Sequence, residues 1–434
     1  MAQIQAIKGF ADLFPAQSAL FLRMEAAARA VFPRYAYGEL RTPLMEPTEL
    51  FQRSIGTETD VVRKEMYSFA DAKGRSMTLR PEATAGVMRA YIEHGVAARE
   101  TVSKFFTIGP MFRHERPQKG RMRQFHQINC ECLGPREPEA DAELICMLME
   151  FLDTLGLTGL TLHINSLGCP VCRPAYRTLL RTWLASLAPD ALCEDCRRRA
   201  ETNPLRVLDC KVPDCKDNTA AAPHILDHQC PECSAHFAAV TRLLRARKIP
   251  FDIDHRLVRG LDYYTRTTFE VVSGDIGAQG SVAGGGRYDG LVSSLGGPDV
   301  AGLGFACGME RLALLMREQD IPTPRPDFYL AVLDDSCRDT AFSLAQDLRL
   351  AGLAGILGFD PRSVKSALRQ ADKSRARFAL LLGPDELAGG TVMLKNMENG
   401  EQCAMPRADA AARLAALSSP AAQGPAAATS GEHA

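Results

Sequence analysis

The sequence predicts an α+β unit that is interrupted by a cysteine-rich segment and followed by a C-terminal α/β domain. Helical and strand periodicities are mixed in the first part of the chain. Eight of the 14 cysteines fall between Cys169 and Cys233 and interrupt this pattern. The proline-rich segment PTPRPD, residues 322–327, marks the main domain boundary, and beyond it strands alternate with helices.

Length and charge restrict the class of protein. A chain of 434 residues corresponds to about three domains at roughly 150 residues each. The net charge of −1 argues against a globally basic coat protein for nucleic acid, so a polyanion would be held by local basic patches. The N-terminus has no signal-peptide pattern, and the longest apolar stretch, 144–151, is far too short to span a membrane. We therefore expect a cytoplasmic protein with reduced cysteines and no membrane partner.

The first elements follow from apolar spacing and from helix signals. Residues 17–32 have apolar side chains at helical intervals, and SMTLR at 76–80 has the pattern of a short strand. The next segment, 81–95, is predicted to be a helix with Pro81 at its first position and Gly95 just past its end.

A predicted hairpin of two strands, 104–113 and 124–133, carries the first polar pattern. Side chains alternate across a strand, so Gln127, Asn129 and Glu131 share one face, opposite a mostly apolar face. The stripe is either a solvated sheet face or the floor of a pocket. Basic residues at the end of the first strand and in the connecting loop favour a pocket for a phosphate-bearing ligand; they are Arg113, Arg116, Lys119, Arg121 and Arg123.

Two glycine-rich segments follow the cysteine-rich segment. Gly284–Gly286 precede Arg287 and form either a plain hairpin turn or a close approach of backbone to ligand. In AGLGFACGMERL, Arg311 lies at a predicted helix start, where it either meets a phosphate or pairs with Glu310. The sequence contains neither a P-loop nor a GxGxxG that opens a helix, so a nucleotide would be bound by another route.

Taken together, these segments resemble the class II aminoacyl-tRNA synthetases, specifically the histidyl-tRNA synthetase family. YGELRTPLMEP, with Pro43, is similar to class motif 1, TIGPMFRHERPQKGRMRQFHQINCE to motif 2, and GLGFACGMERL to motif 3. KGFADLFP and TLRPEATAG also match, and RGLDYYTRTTFE and GGGRYDGL resemble the two histidine-specific signatures. The resemblance covers residues 4–417, and the ordered set of motifs is far more specific than any one of them.

The resemblance implies an antiparallel-sheet catalytic domain flanked by helices, an inserted, mainly helical Cys-rich domain and an α/β anticodon-binding domain. The expected bounds are 1–168 with 248–324 for the catalytic domain, 169–247 for the insertion, 325–417 for the anticodon-binding domain and 418–434 for a disordered tail. It also implies a homodimer, with Pro43 at the interface.

The resemblance further implies ATP-dependent activation of L-histidine, with Mg²⁺, and transfer of the histidyl group to tRNA(His). The implied histidine-binding residues are Glu82, Thr84, Gln127, Glu131, Arg259, Tyr263 and Tyr264. Arg113 and Arg311 would bind the ATP phosphates, and Arg113 and Arg259 would be catalytic. Arg116 and Gln118 would contact the acceptor end of the tRNA.

A basic stripe on a predicted C-terminal helix, 362–374, fits the same function. Lys365, Arg369 and Lys373 recur at intervals of four residues, opposite an apolar stripe of Val364, Leu368 and Ala371. Such a stripe is either a solvated helix face or, beside the other motifs, a tRNA contact whose strength depends on salt.

The cysteine-rich segment contains four pairs of cysteines, three of them with the C-x₂-C spacing of tetrahedral metal sites. The pairs are Cys169/Cys172, Cys193/Cys196, Cys210/Cys215 and Cys230/Cys233. They are either ligands of structural Zn²⁺ or free, partly buried thiols, and the spacing leaves the pairing open. His224, His228 and His236 are candidate substitutes as ligands.

Two other functions are compatible with parts of the sequence. One is a regulatory relative that keeps the fold without aminoacylation, such as the regulatory subunit of ATP phosphoribosyltransferase. The other is a zinc-dependent nucleic-acid-binding protein without catalysis. The two complete histidine signatures and the basic C-terminal helix argue against the first, and the net charge and the polar strand argue against the second.

Overall fold

A computed structural model describes residues 3–57, 59–188, 190–276, 280–316 and 325–418. The chain divides into two compact units, Met1–Ile321 and Pro322–Ala434. Part of the predicted linker, 322–324, and nearly all of the predicted tail, 419–434, lie outside the described residues. The finer domain bounds given above remain predictions.

The strands of the first unit form a large sheet and a small one. They are β1 Gly38–Glu39, β2 Met45–Pro47, β3 Tyr67–Ala70, β4 Ser76–Leu79, β5 Ser103–Phe112, β6 Gln124–Gly134, β7 Leu160–Ser166, β8 Asp252–Ile253, β9 Thr265–Ser273, β10 Ser281–Arg287 and β11 Ala301–Gly308. In the described residues the large sheet has the order β1-β5-β6-β11-β10-β9-β7-β8, and β2-β4-β3 form the small sheet. The six inner strands of the large sheet are antiparallel, and only the edge strands β1 and β8 pair in parallel. The predicted antiparallel catalytic sheet is confirmed.

Helices cover one face of the large sheet. The helices of this unit are α1 Pro15–Val31, α2 Thr48–Ile55, α3 Thr84–Glu93, α4 Pro138–Thr154, α5 Arg173–Ala185, α6 Glu194–Thr202, α7 Pro213–Asn218, α8 Pro231–Ala246, α9 Leu291–Ser294 and α10 Met309–Leu315. Apolar side chains of α1, α4, α8 and α10 pack on alternate residues of the strands, including Ile128, Cys130 and Cys307. The opposite faces of the same strands are left for polar side chains, because strand residues alternate.

The start of α3 differs from the prediction. Pro81 is not its first residue, because the helix begins at Thr84. The Glu82 carboxylate accepts hydrogen bonds from the backbone N–H groups of Thr84 (2.7 Å) and Ala85 (2.9 Å), which occupies the free donors of the first turn. A buried acidic side chain therefore fixes where this helix begins.

The Cys-rich insertion has a small apolar core of its own. Residues of α5 and α6 and of the loops up to Ile225 form this core, with Tyr176, Leu180 and Val207 fully or nearly fully buried. Helix α8 follows the insertion core but packs into the main core through Phe237, Val240 and Leu244. The insertion is thus joined to the sheet through β7 at its start and through α8 at its end.

The second unit is the predicted α/β domain. Its strands are β12 Phe328–Val332, β13 Gly355–Leu357, β14 Phe378–Leu382, β15 Thr391–Asn396 and β16 Gln402–Pro406, in the order β13-β12-β14-β15-β16. Its helices are α11 Arg338–Leu350, α12 Val364–Lys373, α13 Pro384–Ala388 and α14 Ala410–Ser418. Helices α11 and α14 pack on one face of this sheet and α12 packs on the other.

None of the helices in the described ranges combines the length and apolar character needed to cross a membrane.

Candidate active site

A cavity of about 830 Å³ opens on the polar side of the large sheet. Every residue predicted to bind histidine or ATP lines it: Glu82, Thr84, Arg113, Gln127, Glu131, Arg259, Tyr263, Tyr264 and Arg311. Residues of the insertion, including Cys193, Arg206 and Cys210, form part of its wall. The sequence segments that carry the motifs therefore meet at one place in the fold.

Strand β6 forms the floor of the cavity. Gln127, Asn129 and Glu131 point into it, while Ile128 and Cys130 on the other face are buried in the core. The alternation predicted from the sequence is confirmed, and the solvated-face alternative is wrong, because Asn129 and Glu131 are each only 2% exposed. Among the described residues, the buried Gln127 Oε1 has no hydrogen-bond partner, although buried polar atoms nearly always have one. Gln127 thus offers a free acceptor to a ligand.

Two buried carboxylates lie at the deep end of the cavity. Glu131 accepts a hydrogen bond from the Thr84 hydroxyl at 2.6 Å and another from the Tyr288 hydroxyl. Burial raises the pKa of Glu131 to about 8, against the smaller opposing effect of these hydrogen bonds. Burial also raises the pKa of Glu82, in spite of the backbone N–H groups that it accepts. Two desolvated acids at one end of the cavity form a site suited to a ligand that carries positive charge.

The raised pKa of Glu131 predicts that the ligand-free protein loses stability as pH rises. The folded protein holds a proton that the unfolded chain releases near its ordinary pKa of about 4.3, so the free energy of unfolding falls between that pH and about 8. One such group contributes a slope of about 1.4 kcal/mol per pH unit. Denaturant unfolding measures this free energy at pH 6 and at pH 7. Between these two pH values the free energy of unfolding should fall less for Glu131→Gln than for the parent chain. Equal slopes in the two proteins would contradict the assignment, and Glu139→Gln, an exposed change on α4, is the matched control.

Three tyrosines form one side of the deep end. The rings of Tyr263 and Tyr264 lie 4.7 Å apart, and Tyr288 meets Tyr263 edge-on at 5.5 Å. Tyr288, which is 1% exposed, is the phenol that hydrogen-bonds to Glu131, and it was not among the predicted site residues. Its position in GGGRYDGL could have identified it as a site residue, because that segment resembles a histidine-specific signature.

Glycines of β11 make the Tyr288–Glu131 contact possible. A Cβ on Gly302 would lie 2.4 Å from the Tyr288 ring, and one on Gly304 would lie 2.1 Å from a Glu131 carboxylate oxygen. Strand β11 lies between β6 and β10, so its missing side chains leave the space in which residues from both sides meet. These two glycines therefore serve packing within a strand.

Arg259 lies beside the cavity on the loop before β9. Its Nη1 donates to the Glu270 carboxylate at 2.7 Å, and its guanidinium lies against Gly284, where a Cβ would come within 2.4 Å of Nη1. Gly284 is therefore a close-approach glycine within β10 rather than part of a plain turn. The buried Arg259 Nε has no partner among the described residues, which leaves one donor available to a ligand.

Arg113 and Arg311 lie at the outer end, near the loop between β5 and β6. Arg113 Nε donates to the Pro81 carbonyl at 2.8 Å and its guanidinium lies over the Phe125 ring. Arg311 donates to the Ser281 carbonyl, and burial followed by the charge of Arg121 lowers the pKa of Arg311. Several guanidinium groups brought together in this way repel one another unless an anion lies between them.

The alternative ion pair between Arg311 and Glu310 is wrong. The Glu310 carboxylate instead accepts the backbone N–H of His126 at 2.9 Å and lies 3.0 Å from the His126 Nδ1. His126 thereby connects the end of the cavity floor to α10, and Arg311 remains directed toward the cavity.

The predicted tRNA-binding residues lie elsewhere. Arg116 and Gln118 are exposed on the loop between β5 and β6 and do not line the cavity, although Gly120 and Arg121 of the same loop do. Lys365, Arg369 and Lys373 are exposed on α12 in the second unit. The predicted apolar stripe of α12 is partly wrong, because Val364 is 46% exposed and the buried residues are Ala367 and Ala371.

The eight clustered cysteines form two groups of four. Cys169, Cys172, Cys230 and Cys233 make one group, and Cys193, Cys196, Cys210 and Cys215 make the other, with the sulfurs of each group within 4.8 Å of one another. The candidate histidines belong to neither group: His236 lies 3.3 Å from Asp141, and His224 stacks on His255. The structure thus gives the pairing that the sequence left open.

Comparisons with known proteins agree on one family. A family model described as "Histidyl-tRNA synthetase" matches residues 9–312, and one described as "Anticodon binding domain" matches residues 327–417. The histidine–tRNA ligase of Nitratidesulfovibrio vulgaris strain DP4 is 66% identical over 416 residues, which are 96% of this chain and 99% of the relative. That of Oleidesulfovibrio alaskensis is 63% identical over 403 residues, covering 93% of this chain and 97% of the relative.

A solved structure gives the same result at the level of the fold. The apo histidyl-tRNA synthetase of S. aureus superimposes with a TM-score of 0.79 at 33% identity, covering 95% of this chain and 100% of that chain. On the sequence motifs, the fold and these matches, the chain belongs to the histidyl-tRNA synthetase family.

Proposed function

We propose that the chain is a histidine–tRNA ligase that activates L-histidine in the cavity of the large sheet. The observation that carries the proposal is the chemistry of that cavity: buried carboxylates at one end, guanidinium groups at the other, and partnerless polar atoms on Gln127 and Arg259 between them. An amino acid with a basic side chain fits the first end and a nucleoside triphosphate fits the second. Histidine-dependent exchange of pyrophosphate into ATP tests the proposal.

Histidine is proposed to lie over the floor of the sheet. Its imidazole has one donor and one acceptor nitrogen when neutral, and Glu131 with a neighbouring tyrosine can satisfy both. Tyr264 is the tyrosine implied by the family, and Tyr288 holds the Glu131 carboxylate in place. The α-ammonium group would donate to Glu82, Gln127 and Thr84. Tyr263 closes the pocket beside Tyr264.

ATP is proposed to lie along the guanidinium end. Arg113 and Arg311 would bind phosphate oxygens, and Arg259 would lie at the α-phosphate. A histidine carboxylate oxygen attacks the α-phosphorus, the bond from that phosphorus to the bridging oxygen breaks, and pyrophosphate leaves. The 3′-terminal ribose hydroxyl of tRNA(His) then attacks the acyl carbon of the adenylate, and AMP leaves. No protein nucleophile is needed, so catalysis consists of positioning and of charge stabilisation.

The cavity also has ligands that suit Mg²⁺. The carboxylates of Glu115 and Glu270 line it on the guanidinium side. Mg²⁺ is usually bound by one or two carboxylates together with substrate phosphates and water. When bound with ATP, the ion would neutralise phosphate charge, while Arg113 and Arg259 position the reacting groups.

The second unit is proposed to bind the tRNA through α12. Lys365, Arg369 and Lys373 are exposed on one side of the helix, and no carboxylate among residues 325–418 pairs with them. Arg116 and Gln118 of the first unit are the proposed contacts to the acceptor end.

Neutralising these three cations should weaken tRNA binding and its dependence on salt. With Lys365, Arg369 and Lys373 all changed to Gln, the slope of log affinity against log salt should become about 2 to 3 units shallower if each cation contacts one phosphate. Changing Arg338, Arg349 and Arg413 to Gln provides a charge-matched control on the helices of the opposite sheet face. Titration of labelled tRNA(His) at several salt concentrations measures both slopes, and a parent-like slope for the α12 variant would remove this surface from the proposal.

A homodimer and a cytoplasmic location complete the proposal. Pro43 precedes two large apolar side chains, Leu44 and Met45, that are 43% and 46% exposed in the single chain. A symmetric partner would cover them.

The two rival functions are less well supported. The relatives that share 66% and 63% identity over nearly the whole chain are named histidine–tRNA ligase, not regulatory subunit. A purely nucleic-acid-binding protein would have no need of buried carboxylates at the deep end of a cavity.

A further inference from the structure

The insertion contains two groups of four cysteines that the proposed reaction does not use. We call Cys169, Cys172, Cys230 and Cys233 the base cluster, and Cys193, Cys196, Cys210 and Cys215 the wall cluster. We infer that each cluster binds one structural Zn²⁺, and that the zinc of the wall cluster holds one side of the substrate cavity in place. The second part of this inference rests on the proposed function of that cavity, and the first part does not.

The spacing of the sulfurs matches a single tetrahedral ion. Zinc bound to four sulfurs at about 2.3 Å places each pair of sulfurs about 3.8 Å apart. In the base cluster the Sγ atoms of Cys169 and Cys172 are 3.8 Å apart, as are those of Cys169 and Cys230, and those of Cys172 and Cys233 are 3.9 Å apart. In the wall cluster Cys193 and Cys210 are 3.8 Å apart.

Other cysteine chemistry fits this spacing less well. A disulfide joins sulfurs at about 2.05 Å, and all eight cysteines are free thiols. An iron–sulfur cluster would hold its thiolates farther apart, because several iron and sulfide ions lie between them. Four sulfurs around one point indicate zinc or a single iron ion, and the higher affinity of such sites for Zn²⁺ than for Fe²⁺ favours zinc.

Backbone N–H groups and helix N-termini are directed at sulfurs of both clusters. Cys172, Cys193 and Cys230 each lie at the N-cap of a helix, where the backbone dipoles stabilise negative charge. In the base cluster the Cys169 N–H donates to the Cys172 sulfur at 3.3 Å, and the Val171 N–H donates to the Cys169 sulfur at 3.4 Å.

Gly168 leaves room for the base cluster. Its φ is +66°, and a Cβ there would lie 2.9 Å from the Cys172 sulfur. A glycine is thus required both by the backbone conformation and by the packing of the sulfur.

The base cluster joins the two ends of the insertion. Cys169 and Cys172 follow β7, and Cys230 and Cys233 lie at the start of α8, which packs in the main core. A metal bond between these ends closes the long loop that holds the small insertion core, so it removes conformational freedom from the unfolded chain.

The wall cluster lies beside the proposed catalytic arginine. Cys193 and Cys210 line the cavity, and the segment between them contacts the loop that carries Arg259. Arg206 donates to the Arg259 carbonyl at 2.9 Å, and Asn203 donates to the Asp262 carboxylate at 2.8 Å. A zinc ion that fixes residues 193–215 therefore also fixes one side of the loop at 259–262.

Metal content is the first test, and it does not depend on activity. The full chain, purified under reducing conditions, should contain two zinc ions by mass spectrometry of the metals. Cys172→Ser with Cys233→Ser should leave one, as should Cys196→Ser with Cys215→Ser, whereas the control Cys146→Ser with Cys403→Ser should leave two. Release of two zinc ions as the parent chain's thiols are titrated with a mercurial gives the same answer without any substitution. Any other zinc content of the parent chain, or iron in its place, overturns the two-site inference.

Hydrogen exchange tests the role of the wall cluster. Amides in 203–212 and 259–262 should exchange at least tenfold faster in the wall-cluster variant than in the base-cluster variant. The kcat for adenylate formation should fall in the wall-cluster variant by about tenfold or more, because misplaced positioning groups are costly. Unchanged exchange in these amides would overturn the link between zinc and cavity. If zinc and the exchange pattern are found but histidine-dependent pyrophosphate exchange is absent, the proposed function fails while the zinc sites stand.

Discussion

Replacing Arg259 by Ala should lower the rate of histidyl-adenylate formation by about 10²- to 10³-fold, the effect of removing one well-placed donor to developing charge. The side chain is held by Glu270 at 2.7 Å and has a buried Nε without a partner among the described residues. A guanidinium fixed in this way can donate to an α-phosphate oxygen as negative charge shifts onto it, without rearranging first. The loss should appear mainly in kcat.

Two further variants distinguish loss of this catalytic contact from loss of the folded structure. Arg259→Lys keeps the charge but not the forked donors, so we expect an intermediate rate. Arg75→Ala, which removes an exposed arginine on the turn between β3 and β4, should leave the rate near that of the parent chain. Thermal unfolding of all three should stay close to the parent, because Arg259 lies at the edge of a cavity rather than in the apolar core. Near-normal pyrophosphate exchange by Arg259→Ala would contradict the assignment.

Replacing Glu131 by Gln should lower kcat/KM for histidine by about 10²-fold, in keeping with the loss of a hydrogen bond to a buried charged group. The new amide has nearly the same shape but can never take up the negative charge of a carboxylate. It also brings an NH₂ group to a place where the Thr84 and Tyr288 hydroxyls now donate. Binding of ATP should change much less, because the guanidinium groups at the other end are untouched.

The steady-state parameters for both substrates check this second prediction. Glu139→Gln, on the exposed side of α4, is the matched control and should behave like the parent chain. If Glu131→Gln raised the Michaelis constant for ATP as strongly as that for histidine, Glu131 could not be specific to the imidazole.

Features that depend on local periodicity were predicted well from the sequence. The polar stripe of β6 follows from the two-residue period of a strand, and both of its faces are as expected. The alternating second unit was also predicted, although its last strand, β16, and last helix, α14, were not identified. The start of α3 was missed because the Glu82 carboxylate, a capping group inside the site, outweighed the helix-start preference of Pro81.

Features that depend on contacts across the sheet could not be predicted from the periodicity of the sequence. Tyr288 reaches Glu131 only because β11 places glycines between them, and strand order is not visible in periodicity. For the same reason the spacing of the cysteines did not give their pairing, since Cys169 and Cys230 are brought together by β7 and α8.

The most direct test of the account is histidine-dependent exchange of pyrophosphate into ATP by the full chain, followed by charging of tRNA(His). We predict exchange with L-histidine and almost none with an amino acid of similar size that lacks a ring donor and acceptor, because the buried Glu131 and its neighbouring tyrosine would then lack their bonds to the ring. Exchange that is absent with histidine, or equally fast with such an analogue, would contradict the claim that this cavity recognises an imidazole.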